Sequence, residues 1–176
     1  MRILGIDPGP EQSAWLLLDS AGGLDLGRVV DFGQWETERV RQLCRVLGET
    51  WVSDRQGGTE RAAVDLVAIE WIESYGMTVG REVFETVHWA GRMTEAVAAQ
   101  DIPVVQVPRR AVKIAICGDT RAKDANIHAA LLERWGGKAR AVGSKAAPGP
   151  LYGISKDVWS ALAIAVTEAQ SKRVVA

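Results

Sequence analysis

The chain opens on a short apolar run, Ile3, Leu4 and Ile6, which Asp7, Pro8 and Gly9 bring to a halt. The run predicts a buried strand. Proline offers no donor to a sheet and glycine tolerates positive φ, so a sharp turn is expected directly after it, with Asp7 at the C-terminal lip of the strand. Ser13 to Asp19 (SAWLLLD) reads as a second strand, Gly22 and Gly23 as a hairpin-like break, and Leu26 to Phe32 as a third strand. Three strands on short turns predict an antiparallel meander. Val40, Leu43, Leu47 and Trp51 then recur at helical spacing, which predicts an amphipathic helix over Glu36 to Trp51, closed off by Gly57 and Gly58.

Val64 to Glu70 (VDLVAIE) is the next buried strand and, like the first, ends in a carboxylate. Side chains alternate along a strand, so Glu70 shares a face with Ala68 and Leu66, while Val67 and Ile69 face the other way. Val79 to Ala99 predicts a long helix. Its apolar residues Val83, Phe84, Val87, Trp89, Ala90, Met93 and Val97 cover more than one stripe, which suggests a sheet on one side and a partner subunit on the other. His88 has no second metal-ligand type at suitable spacing and is taken as structural. Ile102 to Val107 reads as a fifth strand, Pro108 to Cys117 as a short helix ended by Gly118 to Thr120, and Lys123 to Trp135 as another helix. Residues 136–150 (GGKARAVGSKAAPGP) are rich in glycine and proline, with three basic and no acidic residues. They are expected to form a flexible basic loop that enters no core, either a surface insertion or a phosphate-facing flap. A last helix is expected from about Ser155 as N-cap, with Asp157 in its first turn, where the helix dipole favours a negative charge.

With 176 residues, 47% of them hydrophobic, one domain spanning residues 1–176 is expected. No apolar run approaches the roughly 20 residues that cross a bilayer, and a strand begins at once, so a soluble, cytoplasmic protein without a leader is expected. Cys44 and Cys117 lack CxxC or CxxH spacing and read as reduced core thiols. The net charge of −1 conceals a division: residues 1–107 carry nine basic and seventeen acidic side chains, a net of −8, and residues 108–176 carry twelve and five, a net of +7. This is either a solvated surface pattern or an edge that faces a polyanion.

Asp7, Glu70 and Asp157 occupy comparable places, two strand ends and one helix start. Asp7 alone reads as an Asp-Pro-Gly turn and Asp157 alone as a helix-start residue. Crevices in α/β sheets open outside the carboxyl ends of strands, so the three can converge although 63 and 87 residues separate them. Converging acceptor-only oxygens repel one another unless a cation lies among them, and without His or Cys the hard ions Mg²⁺ and Mn²⁺ are the candidates. Two such ions about 4 Å apart suit hydrolysis of a phosphodiester.

In order along the chain, GIDPG, VAIE, VKIAICG, AKDANI and the ALAIA run after Asp157 resemble the RuvC-type Holliday-junction resolvases of the RNase H-like superfamily, from Ile3 to about Ala169. The resemblance implies an α/β fold with a five-stranded mixed sheet flanked by helices, a homodimer, and Mg²⁺-dependent paired cleavage of four-way DNA junctions in a bacterial or phage setting. It places Asp7, Glu70 and Asp157 on the family's acidic positions, with Asp7 bridging two ions and the others holding one each, Mn²⁺ being a possible substitute. Lys113 and Lys123 fall on basic positions that grip DNA or support the chemistry, and Lys123, or Lys113, is expected to neutralise developing charge. Arg109, Arg110, Arg121, Lys138, Arg140 and Lys145 are expected on the DNA side of the basic C-terminal portion.

Two departures stand out. The family carries another Asp three residues after the position of Asp157, where this chain has Ser160; a hydroxyl there can hold a metal-bound water but brings no charge. The aromatic that enters the junction is replaced by Glu73, with Trp71, Tyr75 and Met77 as nearby substitutes, each equally explicable as loop packing; Tyr75 is the candidate DNA contact. A catalytically silent junction-binding protein and an RNA-processing nuclease are the alternatives. An actin-like ATPase needs a second lobe and a second glycine-rich phosphate loop, so no nucleotide cofactor is expected, nor a membrane.

Overall fold

The computed structural model describes residues 1–20, 27–49, 51–53, 59–61, 64–74, 76 and 78–174. Strands β1 (Arg2–Asp7), β2 (Gln12–Asp19) and β3 (Arg28–Glu36) form the expected antiparallel meander. The third strand runs to Glu36 rather than Phe32, because every residue of β2 down to Gln12 finds a partner on it. The break at Gly22 and Gly23 lies outside the described residues. Helix α1 is only Thr37–Cys44. A short 3-10 turn at Leu47–Glu49 follows, and then β4 (Trp51–Ser53) pairs antiparallel with β5 (Thr59–Arg61) as a separate two-stranded sheet. The longer helix expected through Trp51 is therefore corrected. Val40 and Leu47 are buried as the periodicity required and Leu43 is half-buried, but the helix ends before Gly48, a poor helix former. Gly57 and Gly58 lie outside the described residues.

Strand β6 (Leu66–Trp71), helix α2 (Arg81–Ala98) and strand β7 (Val104–Pro108) come next. β6 pairs parallel with both β1 and β7, which gives a five-stranded mixed sheet in the order β3-β2-β1-β6-β7. Helices α3 (Arg109–Cys117), α4 (Asp124–Arg134), α5 (Lys138–Ala141) and α6 (Val158–Val174) complete the chain.

The period-2 alternation of the strands divides the core in two. Leu4, Ile6, Trp15, Leu17, Val67 and Ile69 pack with Val40 of α1 and with Ala90, Met93 and Val97 of α2. Ile3, Ala14, Leu16, Leu18, Leu66 and Ala68 pack with α3, α4 and α6. Helix α6 lies closest: a Cβ added to Gly5 would stand 2.2 Å from the Ala161 carbonyl oxygen, so only glycine lets this helix rest on β1. Ala161, Ala163 and Ala165 are correspondingly fully buried.

The expectation for residues 136–150 is corrected. They contain α5, a bridge between Gly143 and Pro148, and Ala141, which is fully buried beside Leu151 in the α6-side core. Small side chains and the positive φ of Gly143 permit this tight fold. Helix α6 starts at Val158, not near Ser155, because Lys156 takes a positive φ of 36° that interrupts a helix. Asp157 therefore precedes the first turn, its carbonyl accepting from the Ala161 amide. Cys44 and Cys117 are both free, and burial pushes the Cys44 thiol up to about 12, which makes it inert. Among the described residues no helix is long and apolar enough to cross a membrane.

Candidate metal centre and nucleic-acid face

Strand register puts the acidic residues together. β1 and β6 run parallel with Gly5 opposite Ala68 and Ile6 opposite Ile69, so the next step sets Asp7 beside Glu70 on the face that carries α6. The same row continues across the sheet: Asp7 pairs with Ala14, Ala14 with Gln34, and Glu70 with Val107. Ala14, the small residue of the row, leaves room between Asp7 and Gln34.

The turn after β1 is tied down by polar bonds. The Gly9 amide donates to Ser13 Oγ (3.1 Å), Thr37 Oγ1 donates to the Gly9 carbonyl (2.9 Å), and the two hydroxyls lie 3.0 Å apart. Ser13 and Thr37 are both buried, so this network fixes the Asp-Pro-Gly turn and with it the direction of Asp7.

The Asp7 and Glu70 carboxyls are close enough that each feels the other's protonation. Burial, then the hydrogen bond and the charge of Glu70, push Asp7 from its ordinary 3.8 up to about 9, with Asp157 raising it further and Arg109 opposing. At neutral pH the Asp7–Glu70 pair therefore holds one proton between its two carboxyls. Two carboxyl groups forced to share a proton mark a place where a cation would relieve the repulsion. Among the described residues the acidic groups that act on Asp7 offer oxygen, with neither histidine nor cysteine, which fits a hard divalent ion rather than zinc.

Arg109, the first residue of α3, enters this cluster. Its Nη1 donates to Glu70 Oε1 (3.5 Å) and to Ser160 Oγ (3.4 Å), and its Nη2 donates to Asp124 Oδ1. Burial pulls the guanidinium down, but Glu70, Asp124 and Asp7 together hold its pKa above the ordinary value. Asp157 is exposed, and Gln34 Nε2 donates to its Oδ2 at 2.7 Å. Its charge reaches Asp7, yet among the described residues no three acidic, His or Cys side chains come together as an ion-binding group. Gln34 holds Asp157 on one side while Arg109 holds Glu70 on the other.

The basic residues divide into two sets. Arg109, Arg110 and Lys113, with Thr120, line a cavity of about 210 Å³ that adjoins the acidic row through Arg109. Arg121 is exposed and pairs with Asp119 at 3.7 Å, and Lys123 is exposed just before α4, its amide accepted by Asn126 Oδ1. Lys138, Arg140 and Lys145 are exposed on the 136–150 segment. Tyr75 and Met77 lie outside the described residues. Trp71 is half-buried, and His88 is exposed with its ring edge-on to Trp89. Sequence reasoning missed Gln34 and Asp124. Only the register of β3 brings the first to the site, and the second carried no signal beyond its place in the first turn of a helix. Arg109 was expected on DNA and not among the carboxylates.

No protein-family model and no curated protein sequence matches the chain. Solved structures do, among them two of Thermus thermophilus RuvC. Thermus thermophilus RuvC superposes with a TM-score of 0.70 at 22% identity, covering 99% of this chain and 97% of that one. T. thermophilus RuvC in complex with a Holliday junction substrate gives a TM-score of 0.71 at 21% identity, covering 99% and 96%. At such identity the likeness is one of fold, and this chain shares the fold of T. thermophilus RuvC over nearly its whole length.

Proposed function

We propose that the chain is a divalent-cation-dependent endonuclease that cuts branched DNA, four-way junctions above all, by paired phosphodiester hydrolysis. The observation that carries this is the Asp7–Glu70 pair, set by strand register at the end of two parallel strands beside a basic cavity. The likeness to a RuvC structure bound to a Holliday junction names the class of substrate. Asp7 and Glu70 hold the cation, Mg²⁺ or in its place Mn²⁺, with Asp157 and Ser160 at the edge of the site. Bound there, the divalent ion supplies water activation and offsets charge on the scissile phosphate.

The protein's own groups do the rest. With a cation bound, Asp7 would serve as an ionised ligand beside Glu70. Arg110 and Lys113 seat a backbone phosphate in the basic cavity, and Lys123 neutralises charge that develops on the reacting phosphate. Arg121, Lys138, Arg140 and Lys145 follow the arms of the junction, and Tyr75 is a further candidate DNA contact. Phe84 and Val87, exposed on α2, form the contact of a homodimer that presents two sites to a substrate with approximate twofold symmetry. The chain acts as one nuclease domain over residues 1–176, in the cytoplasm of a bacterial or phage-infected cell, where free Cys44 and Cys117 stay reduced.

The test offers labelled four-way junction, fork, linear duplex and structured RNA to the protein with Mg²⁺ or Mn²⁺, beside Glu70→Gln. Symmetric nicks in the junction that Glu70→Gln abolishes are expected. Arg109 within the carboxylates favours a second reading, a junction binder without chemistry. Tight binding with no cleavage in either ion would establish it, and preferential cutting of RNA would overturn both.

A further inference from the structure

Arg109 is placed unlike a residue that waits for DNA. One guanidinium nitrogen is shared between Glu70 Oε1 and Ser160 Oγ, the other is bonded to Asp124, and the side chain is only 26% exposed. Three oxygens from three elements, β6, α6 and α4, thus fix a planar cation at the N-terminus of α3. Arginine does not lose its proton in proteins, so this charge is permanent.

From this geometry we infer that the Arg109 guanidinium takes the place of one of the two divalent ions that the acidic residues would otherwise need, so that the site binds a single divalent ion, at Asp7 and Glu70. The inference rests on the reading of these carboxylates as a cation site and refines it.

The charges agree with it. Asp7, Glu70, Asp157 and the largely solvated Asp124 bring four negative charges when ionised, of which one guanidinium and one divalent ion balance three. A second divalent ion would add two positive charges beside a fixed one. It would also need the Glu70 and Ser160 oxygens that Arg109 already engages, and a neutral hydroxyl is a poor ligand for a hard cation compared with a carboxylate. Ser160 and Arg109 therefore form a matched pair. The serine accepts from the guanidinium without adding a charge that would draw in another ion. Asp124, 80% exposed at the other end, orients the fork while staying solvated.

The direct test counts Mn²⁺ ions bound to the full chain by electron paramagnetic resonance, with circular dichroism to verify that each variant is folded. Wild type is expected to bind about one ion, Arg109→Ala/Ser160→Asp about two, and Ser160→Asp alone still about one, since its new carboxylate pairs with the retained guanidinium. Asp7→Asn should bind none. Two ions on wild type, or on Ser160→Asp alone, would overturn the inference while leaving the cation site intact. One ion on the folded double variant would do the same. No ion on wild type would overturn both the inference and the functional reading beneath it.

Discussion

Asp7→Asn should make the cation-free protein more stable, although it removes the central side chain of the site. Asp7 is pushed up to about 9 when folded, against an ordinary 3.8, first by burial and then by Glu70. A carboxyl whose folded pKa lies above its unfolded value contributes stability that is complete below about pH 4 and lost as pH rises through about 9. At pH 7 folding must return a proton to Asp7, which costs about 1.4 kcal/mol for each pH unit above 3.8, about 4 kcal/mol altogether. The figure depends on the folded pKa only in that it exceeds 7. Asparagine offers Glu70 a donor of the same shape and needs no proton. The variant should therefore melt roughly 10 °C higher at pH 7 in chelator, and the gap should fall to within about 2 °C at pH 4. Saturating Mn²⁺ should raise the melting temperature of wild type and not that of the variant. Differential scanning calorimetry at the two pH values is the assay. Equal melting temperatures at pH 7, or a gap that persists at pH 4, would refute the shared-proton account.

Other consequences are as specific. Arg110→Ala and Lys113→Ala should each weaken junction binding and lower the slope of log affinity against log salt by about 0.9 for every phosphate no longer neutralised, read by fluorescence anisotropy across a salt series. Phe84→Glu, on a side chain 65% exposed, should leave the circular dichroism spectrum unchanged and convert a dimer to a monomer in sedimentation equilibrium; a dimer that survives would place the interface elsewhere. Gly5→Ala drives a methyl group to 2.2 Å from the Ala161 carbonyl, and should cost about 2 to 3 kcal/mol in urea melts while displacing α6 and Asp157 from the acidic row.

The sheet and its two acidic strand ends were legible because both rest on strong local signals. Ile3 to Asp7 and Val64 to Glu70 are β-branched runs that end in a carboxylate, and Gly9 closes the first with a turn. Period-2 alternation then carried over into the two core layers without exception among Leu4, Ile6, Val67 and Ile69 on one side and Ile3, Leu66 and Ala68 on the other. What could not be read came from contacts distant in sequence. Trp51 sits at a helical spacing from Leu47, and only pairing with Arg61 shows it to be in a strand. Ala141 looked like part of a loop, because its burial depends on Leu151 and α4. The setting of Arg109 was invisible for the same reason. Nothing local distinguishes an arginine that reaches DNA from one that turns back 39 residues to Glu70 and forward 51 to Ser160.

The claim at the centre is that Asp7 and Glu70 together hold a divalent cation. A crystal of the protein grown with Mn²⁺ at pH 8, measured at a wavelength where manganese scatters anomalously, tests it without recourse to activity. An anomalous peak about 2.1 Å from one oxygen of each carboxylate is the predicted result. An anomalous map with no peak there, or with its only peak away from both side chains, would contradict the account.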